Sequence, residues 1–491
     1  MVDFSELRKQ RQTAEPVDPF AIFKRLPKPP HMNDLWDGQS KALEAWVKRR
    51  AENDLVIKLN TGGGKTLVGL LIGQSLLNEL KAPVLYLCPT KQLVEQTLEK
   101  AGEVTIPAVS YRGDFDEFLN ANAICIATYK ALFNGLSKFG VLGSGKEPVK
   151  LGGVICDDAH SAFGTVRESF TISIKKAEMP EIYAEIAGRF RSDINAVGRG
   201  GTFDDVVERG DAGIIEVPYP AWFAKSGEVR QLIAREHAEE FKFVLPLLRD
   251  FFPLSHAFIN AREIAITAMQ PLVHLFPSFA ECKRRVFMSA TIADDSAIVR
   301  TFDANPKAIA TPIIPESLAG VGERMILAPS LMNIKEDAID VAKSVVEELS
   351  KKVGTVVLVQ SEWQAKQDWG DATTIATEDD VATAVRQLVT GQSTGPFTFP
   401  NRYDGLDLVA NACRLLVLHG LPRATNAYEL FRAEVLRGNS SINIGIAQRF
   451  EQGIGRGTRG AGDYCVVLLV GKDLTSWISR SESLALLTPS T

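Results

Sequence analysis

The stretch Asp54-Leu55-Val56-Ile57-Lys58-Leu59, followed by Thr61-Gly62-Gly63-Gly64-Lys65-Thr66, decides the fold. The first part indicates a short buried strand, and the second is a glycine-rich loop that opens a helix predicted to end near residue 80. A phosphate-binding loop requires this order of strand, loop and helix. Glycines let backbone N–H groups converge on phosphate oxygens, and the helix N-terminus adds its positive dipole end. We therefore predict a nucleotide site in which Lys65 reaches the β- and γ-phosphates and Thr66 ligates Mg²⁺.

Apolar strands and helices alternate on both sides of this stretch. Helical spacing occurs at residues 39–50, 65–80 and 92–101, and strand-like apolar runs occur at 84–88, 121–128 and 154–156. Buried strands that alternate with helices indicate a parallel sheet covered on both faces. A second series has strands at 355–360, 415–419 and 464–470 and a helix at 337–349. The predicted fold class is α/β, with two parallel-sheet domains in tandem.

The alternation stops after Ala159-His160 and resumes with an apolar run at 286–288 that resembles one more strand of the first sheet. The residues between are charged and helix-like, for example at 181–191 and 228–250, and their end at 257–268 indicates a hairpin. We therefore predict an insertion in the first domain. The predicted parts are an N-terminal arm (1–33), a first domain (34–160 and 271–315), a mainly helical insertion (161–270) and a second domain (316–491).

Two further groups of residues are candidates for a catalytic role. Asp157 and Asp158 end the strand at 154–156; in P-loop ATPases one such acid holds the Mg²⁺ shell, and a neighbouring carboxylate can orient and deprotonate water. Gln452, Arg456 and Arg459 lie close together near the C-terminus, where a guanidinium can stabilise transferred phosphoryl charge. Alone, these patterns also fit an acidic loop and a basic surface turn. Their coupling to a P-loop favours an ATPase.

Composition limits the classes of protein that fit. The 491 residues carry a net charge of −5 and are 45% hydrophobic, with a mean hydropathy of zero. No apolar run is long enough for a membrane span, and Asp3 and Glu6 stand where a secretory signal is basic. The six cysteines are dispersed without CxxC spacing, as core thiols are. We expect a cytoplasmic protein that has no membrane partner and binds nucleic acid, if at all, in a local cleft.

The ordered set of motifs resembles a superfamily 2 helicase. Those motifs are Gln39, TGGGKT at 61–66, Pro89-Thr90, Ala127-Thr128-Tyr129, DDAH at 157–160, Ser289-Ala290-Thr291, Arg402-Tyr403-Asp404-Gly405-Leu406-Asp407 and QxxGRxxR at 452–459. Within that superfamily the chain resembles the XPD/DinG group. Three features carry this resemblance. They are Asp404-Gly405-Leu406-Asp407, His419-Gly420-Leu421-Pro422 and the long insertion at the place where that group has its arch domain.

This resemblance implies two RecA-like domains with ATP and Mg²⁺ between them. The implied catalytic residues are Lys65, Asp157, Asp158, Gln452, Arg456 and Arg459. The implied ATP-binding residues are Gln39, which would contact adenine, Thr61, Gly62, Gly63, Gly64, Lys65, Thr66 and Asp407, with Thr66 and Asp157 on Mg²⁺. The implied coupling residues are His160, Ser289 and Thr291, with His160 joining the ATP site to Gln452 or to the Ser289-Ala290-Thr291 motif. Thr90, Thr128 and Ser361 would hold nucleic-acid phosphates.

The sequence departs from the group at three places. Asp158 and Asp404 stand where glutamate is usual, and the four cysteines that hold an iron–sulfur cluster in many relatives are absent, so no cluster is expected. The function we predict is an ATP-dependent translocase or helicase on single-stranded or tailed duplex DNA. The alternatives are an ATP-gated nucleic-acid clamp with weak hydrolysis and an RNA helicase. The insertion at 161–270 is a candidate contact surface for a partner protein.

Overall fold

The computed structural model describes residues 15–491, except 60–62, 212, 290–294, 316–321, 333–334, 378–379, 404–405, 407, 409, 424–425, 437–439, 459–462 and 489–490. Three sheets organise this part of the chain. Two of them are parallel and six-stranded, and the third is antiparallel and four-stranded.

The first parallel sheet contains the P-loop strand. Its strands are β1 (Asp54–Lys58), β2 (Val84–Cys88), β3 (Ala108–Ser110), β4 (Ile124–Thr128), β5 (Gly153–Cys156) and β10 (Arg285–Ser289). They lie in the order β1-β10-β5-β2-β4-β3. Strands β1, β2, β5 and β10 are buried along their whole length, which explains why they are continuous apolar runs rather than alternating ones.

The chain leaves the first sheet after β5 and returns to it at β10, which lies between β1 and β5. A buried ion pair fixes this return. Arg285 donates from Nε to Asp54 Oδ1 at 2.7 Å and from Nη2 to Oδ2 at 2.8 Å. The two residues are direct register partners at the start of their strands, so the pair sets the alignment of β10 against β1.

The segment between β5 and β10 contains the antiparallel sheet. Its strands are β6 (Thr171–Lys175), β7 (Ile214–Glu216), β8 (His256–Asn260) and β9 (Glu263–Thr267), in the order β6-β9-β8-β7. Strands β8 and β9 form the hairpin indicated by the sequence. Strands β6 and β7 were not predicted, because β6 alternates buried and half-exposed residues and β7 is only three residues long.

The second parallel sheet lies in the C-terminal part of the chain. Its strands are β11 (Glu323–Leu327), β12 (Thr355–Val359), β13 (Thr374–Ile375), β14 (Phe397–Pro400), β15 (Leu415–His419) and β16 (Tyr464–Val470), in the order β11-β16-β15-β12-β14-β13. Every pair in it is parallel. The two tandem parallel-sheet domains predicted from the sequence are confirmed.

Helices cover both faces of the two parallel sheets, and each sheet separates two apolar cores. The α-helices on the first domain are Pro19–Arg25, Asp37–Arg49, Lys65–Leu80, Lys91–Glu103, Phe115–Leu119, Tyr129–Leu132, Ala162–Glu168, Pro277–Ala280, Ser296–Phe302 and Pro306–Ile309. Those of the insertion are Pro180–Ala196, Gly200–Asp204, Tyr219–Glu236 and Leu245–Leu248. Those of the second domain are Ala338–Leu349, Glu362–Gln364, Val381–Thr390, Ala427–Val435, Ser440–Ile454, Lys472–Ile478 and Ser481–Leu484.

The helix predicted at 228–250 is wrong. The helix begins earlier, at Tyr219, ends at Glu236, and is followed by a separate short helix, Leu245–Leu248. Pro246 lies inside the predicted range, and a proline within a helix removes a backbone hydrogen bond and clashes with the preceding turn. The insertion therefore combines helices with a sheet. None of the helices in the described ranges has both the length and the apolar character that crossing a membrane requires.

The described part of the N-terminal arm packs on the helix that follows the P-loop. Its helix Pro19–Arg25 buries Ile22 and Phe23 in the core that helix Lys65–Leu80 also lines. Ser75 donates to the carbonyl of Val17, and Asn78 Nδ2 donates to the carbonyl of Pro16 at 2.8 Å. The arm thus has no core of its own and completes the outer layer of the first domain.

Candidate functional site

The P-loop ends at a glycine whose conformation only glycine adopts easily. Gly64 has a positive φ of 72° and directly precedes helix Lys65–Leu80. A Cβ at this position would overlap the side-chain amide of Gln39. Lys65 and Thr66 are the first two residues of the helix, where uncompensated N–H groups and the helix dipole favour anions. Gly63 lies next to this turn, and Thr61 and Gly62 are outside the described residues.

The two acids after β5 meet the P-loop lysine. Lys65 Nζ lies 3.2 Å from Asp158 Oδ1, and Ser161 Oγ donates to Asp158 Oδ2 at 3.0 Å. Asp157 is held by the neighbouring strand β2, because Tyr86 of that strand donates its hydroxyl to Asp157 Oδ2 at 2.8 Å. A second buried tyrosine, Tyr129, donates to the Asp157 carbonyl at 2.8 Å. The structure therefore places Lys65, Asp157 and Asp158 around one point at the carboxyl edge of the sheet.

The environment separates the acidities of the two carboxyl groups. Burial raises the pKa of Asp157 to about 6; the charge of Lys65 opposes the rise and that of Asp158 adds to it. Burial acts upward on Asp158 too, but there the charges of Lys65 and Arg456 and the hydrogen bonds from Lys65 and Ser161 prevail and lower its pKa well below the usual range. Asp158 is thus the carboxyl group that stays ionised, as an acceptor for a water proton must.

Gln39 links the P-loop to the residue Trp36. Its Nε2 donates to the Gly64 carbonyl at 3.3 Å, and its Oε1 accepts from the Trp36 backbone N–H at 2.9 Å. Gln39 itself is buried. The structure thus places Gln39 beside the P-loop, as an adenine-contacting residue would be, with its amide oriented by the protein.

The second domain brings two of its predicted residues to the same place. Gln452 Nε2 donates to Ser161 Oγ at 3.3 Å. Arg456 is buried and donates to the carbonyls of Tyr403 (Nε, 3.0 Å) and Leu406 (Nη1, 2.8 Å). Its charge acts on Asp158 in the first domain. Arg459 and Asp407 lie outside the described residues, as does Asp404.

The coupling residues His160 and Ser289 lie near the domain boundary and in the first sheet, respectively. Gln452 donates to Ser161, which is the neighbour of His160. His160 Nε2 lies 3.8 Å from Asp295 Oδ1, and Asp295 also pairs with Lys58 of β1 at 2.7 Å. Ser289 is buried at the end of β10 and its carbonyl accepts from Leu59 N–H at 2.9 Å, whereas Thr291 is outside the described residues.

The three residues predicted to hold nucleic-acid phosphates share one structural role. Thr90 and Ser361 follow parallel strands, and Thr128 ends one. Each side-chain oxygen accepts from the backbone N–H of the third residue of the next helix at 3.2 Å. They are helix N-caps, which satisfy backbone N–H groups that would otherwise have no partner. They lie at the carboxyl edges of the two sheets, with their hydroxyl lone pairs partly used.

Three residues of the site were missed from the sequence. Ser161 joins Asp158 to Gln452, and Tyr86 and Tyr129 position Asp157. The tyrosines carry a weak signal, because a tyrosine inside a buried strand or next to one needs a partner for its hydroxyl. Ser161 carries none beyond its place after DDAH, since its role depends on a residue from the other domain.

The donors fit a nucleotide with Mg²⁺. Asp157 supplies a carboxylate and Thr66 a hydroxyl, which are the oxygen ligands that Mg²⁺ prefers. In the described part of the chain, no group of three or more His, Cys, Asp or Glu side chains is arranged to hold a metal ion by itself. A Mg²⁺ ion held by one carboxylate plus substrate phosphates needs no such group. The six cysteines are free thiols in buried positions.

Comparison with known proteins supports the fold. Residues 33–187 match the family model described as the Type III restriction enzyme res subunit, a helicase-family domain. No curated protein matches the sequence. An XPD structure in the apo form has a TM-score of 0.56 at 15% identity over 92% of this chain and 98% of that chain. Xpd4 of S. tokodaii has a TM-score of 0.55 at 14% identity over 93% of this chain and 99% of its own.

The chain therefore has two RecA-like domains in tandem. More particularly, it shares the fold of the XPD structures, and the resemblance stated from the motifs is confirmed at the level of the fold.

Proposed function

We propose that this chain is an ATP-dependent translocase or helicase that acts on single-stranded DNA. The observation that carries the proposal is one connected set of contacts across the domain boundary. Lys65 contacts Asp158, Asp158 accepts from Ser161, and Ser161 accepts from Gln452 of the other domain. Arg456 of the second domain adds a positive charge that acts on Asp158.

Each residue has a role in phosphoryl transfer that its chemistry supports. Lys65 and the helix N-terminus behind it would bind the β- and γ-phosphates. Asp158, kept ionised by its neighbours, would orient the attacking water and accept its proton. Arg456 would stabilise charge on the transferred phosphoryl group. Mg²⁺, which Thr66 and Asp157 would hold, would neutralise negative charge on the phosphate oxygens.

Movement along a strand would follow from the two-domain construction of the site. A triphosphate that contacts both domains favours the closed cleft, and its hydrolysis removes the contacts that favoured closure. Binding through backbone phosphates would be largely independent of base sequence. The chain would act in the cytoplasm, and the insertion is a candidate contact for a partner protein.

The test is the rate of ATP hydrolysis with and without single-stranded DNA, and with RNA of the same sequence. We expect strong stimulation by DNA and a loss of at least about 10²-fold in stimulated turnover for Lys65→Ala, because the phosphate contact is lost. Lys48→Ala is the matched control, since Lys48 is exposed on helix Asp37–Arg49. Near-normal turnover in Lys65→Ala would refute the assignment.

A second candidate, an ATP-gated clamp with weak hydrolysis, is favoured by one observation. Asp158 is one methylene shorter than the usual glutamate, and a displacement of about 1 Å at a catalytic group can cost as much as roughly 10²-fold in rate. Tight ATP-dependent DNA binding without turnover would identify the clamp. Stimulation by RNA alone would identify an RNA helicase.

A further inference from the structure

The two faces of the antiparallel sheet in the insertion are covered by different parts of the molecule. Successive side chains of a strand point to opposite faces of its sheet. Ile215 and Ile259 lie on one face and belong to the large core that the insertion's own helices also line. Ile214, Phe258 and Ala265 belong to a separate, small apolar cluster on the other face. This second face is therefore covered by something other than the helices of the insertion.

Helix Ala427–Val435 of the second domain covers this second face. Ala427 is buried in the small cluster, and Tyr428 and Phe431 pack against it. The ring of Phe258 lies 4.8 Å from that of Phe431 and 6.1 Å from that of Tyr428, measured between ring centres. The insertion leaves and re-enters the first sheet, whereas the helix joins β15 to β16 of the second. Separation of the two domains would thus expose this apolar face to water, which is unfavourable.

An arginine of the first domain adds a second contact with the same helix. Arg167 lies on helix Ala162–Glu168, and its guanidinium lies 3.8 Å from the centre of the Tyr428 ring. It is oriented by the insertion, because its Nη1 donates to the Ala268 carbonyl at 3.1 Å. Burial lowers the pKa of Arg167, and a cation over an aromatic face contributes more when water is partly excluded. We call Arg167, Phe258, Tyr428 and Phe431 the aromatic latch.

The aromatic latch is connected to the nucleotide site on both sides of the domain boundary. On the first side, the helix that carries Arg167 begins directly after Ser161. On the second side, Glu429 of the covering helix accepts from Arg449 Nη2 at 3.0 Å. Arg449 lies on the same helix as Gln452, Ser440–Ile454. The contact between Ser161 and Gln452 therefore joins two elements that the latch also holds against each other.

The two contacts between the domains differ in what sustains them. At the nucleotide site, Ser161 and Gln452 share a single hydrogen bond of 3.3 Å among charged groups that a triphosphate would contact. The latch consists of apolar, aromatic and cation–π contacts between protein side chains. The strength of such contacts does not depend on a bound triphosphate. The latch therefore favours the closed arrangement of the domains in every nucleotide state.

We propose that the aromatic latch is an autoinhibitory contact, which holds the two domains together independently of nucleotide and must break whenever they separate to release the hydrolysis products. Opening of a closed site limits turnover in many enzymes, so a latch that resists opening slows the cycle. A ligand that displaces the insertion from helix Ala427–Val435 would raise the turnover. The inference rests on the proposed function, because it adds a restraint to the cycle described there.

The test uses Arg167→Gln and Tyr428→Leu in the full chain, with Val435→Ala as the matched control, because Val435 is exposed on the same helix. A dye pair on Glu44→Cys and Lys351→Cys, which are exposed positions of the two domains, reports the distance between them. Without nucleotide, we expect a longer distance in both latch variants. Their ATP turnover without DNA should rise roughly threefold to tenfold, as the loss of one aromatic or cation–π contact predicts. The control should match the wild type in both measurements.

A double variant and the dye distance separate the latch from a merely structural role. Arg167 and Tyr428 act through one contact, so the double variant should raise turnover no further than either single variant does. Unchanged distance and turnover in both single variants would overturn the inference, and so would lower turnover at an unchanged distance. Either result would leave the proposed function standing. A wild-type chain that hydrolyses no ATP, with or without single-stranded DNA, would refute the proposed function itself, whereas the dye distance would still report on the latch.

Discussion

Asp158 has a backbone conformation that bears on its identity. Its φ is +44°, in the left-handed region of backbone conformation. Residues other than glycine rarely adopt this region, and Asp and Asn are enriched among those that do. The same residue holds Lys65 and accepts from Ser161. An aspartate in place of the usual glutamate is therefore compatible with both the strained backbone and the short reach to Lys65.

We expect Asp158→Asn to lower DNA-stimulated ATP turnover by at least about 10²-fold, because the amide cannot accept a proton from water. Asn tolerates a positive φ, so the melting temperature should stay close to that of the wild type. Asp158→Glu should keep or raise the turnover, because it restores the usual carboxylate. The measurement is steady-state turnover beside a thermal melt. Asp158→Glu with no activity and a normal melt would contradict the role given to this carboxyl group.

His419 makes the stability of the second domain depend on pH. Trp369 donates its indole N–H to His419 Nδ1 at 3.0 Å, which requires a neutral imidazole. Burial lowers the pKa of His419 from its ordinary value of 6.5, and Asp368 opposes the decrease. The folded state thus binds protons less readily than the unfolded state, so stability is lost as pH falls below 6.5.

The corresponding prediction concerns thermal melting between pH 7.5 and pH 5.5. The wild-type melting temperature should fall over this interval, and His419→Asn should be less stable at pH 7.5 but less sensitive to pH. His274→Asn is the control, because the ring of His274 packs edge-on against Phe251. An equal decrease with pH in the wild type and in His419→Asn would show that this histidine is not the cause.

At the residue scale, the site residues that could be predicted from the sequence are those that the loops of a single sheet bring together. Lys65 lies directly after the glycine loop that follows β1, and Asp157 and Asp158 directly follow β5 of the same parallel sheet, so the sheet topology places them at one edge. Ser161 could not be found in this way, because its partner Gln452 lies in the other domain. The contact depends on how two separately folded sheets pack.

At the scale of elements, the most accurate predictions were the strands buried on both faces. Strands β2, β15 and β16 begin and end where the apolar runs do. Strands β3, β11, β13 and β14 were not predicted. The first three lie at sheet edges and are only partly buried, and β14 is only four residues long. An edge strand needs fewer apolar residues, so its pattern is weak in the sequence.

The Arg285–Asp54 pair gives a prediction at this scale. Asp54→Asn should destabilise the first domain by about 3–5 kcal/mol, because it leaves the Arg285 charge buried without its partner. Adding Arg285→Gln should restore part of the loss, since the unpaired charge is then removed. The measurement is urea unfolding followed by a probe in the first domain. A loss under about 1 kcal/mol for Asp54→Asn would mean that β10 is held in the sheet without this pair.

At the scale of the whole molecule, alternating strands and helices were sufficient to predict two tandem parallel sheets and an interruption between them. The packing of the insertion on the second domain was not predictable. Phe258 and Phe431 lie in separate parts of the chain, and their contact depends on the positions of three folded units. Sequence patterns report local periodicity and burial, whereas contacts between units arise from their assembled shapes.

The most direct test of the account is the distance between the two domains during the ATPase cycle. Cysteines introduced at Glu44 and Lys351, which are both exposed, can be labelled with a dye pair because the six native cysteines are buried. With single-stranded DNA present, energy transfer between the dyes should show a shorter distance with a non-hydrolysable ATP analogue than with ADP. Lys65→Ala should remove this difference. The same distance with both nucleotides in an active wild-type protein would contradict a cycle in which the two domains close on one triphosphate.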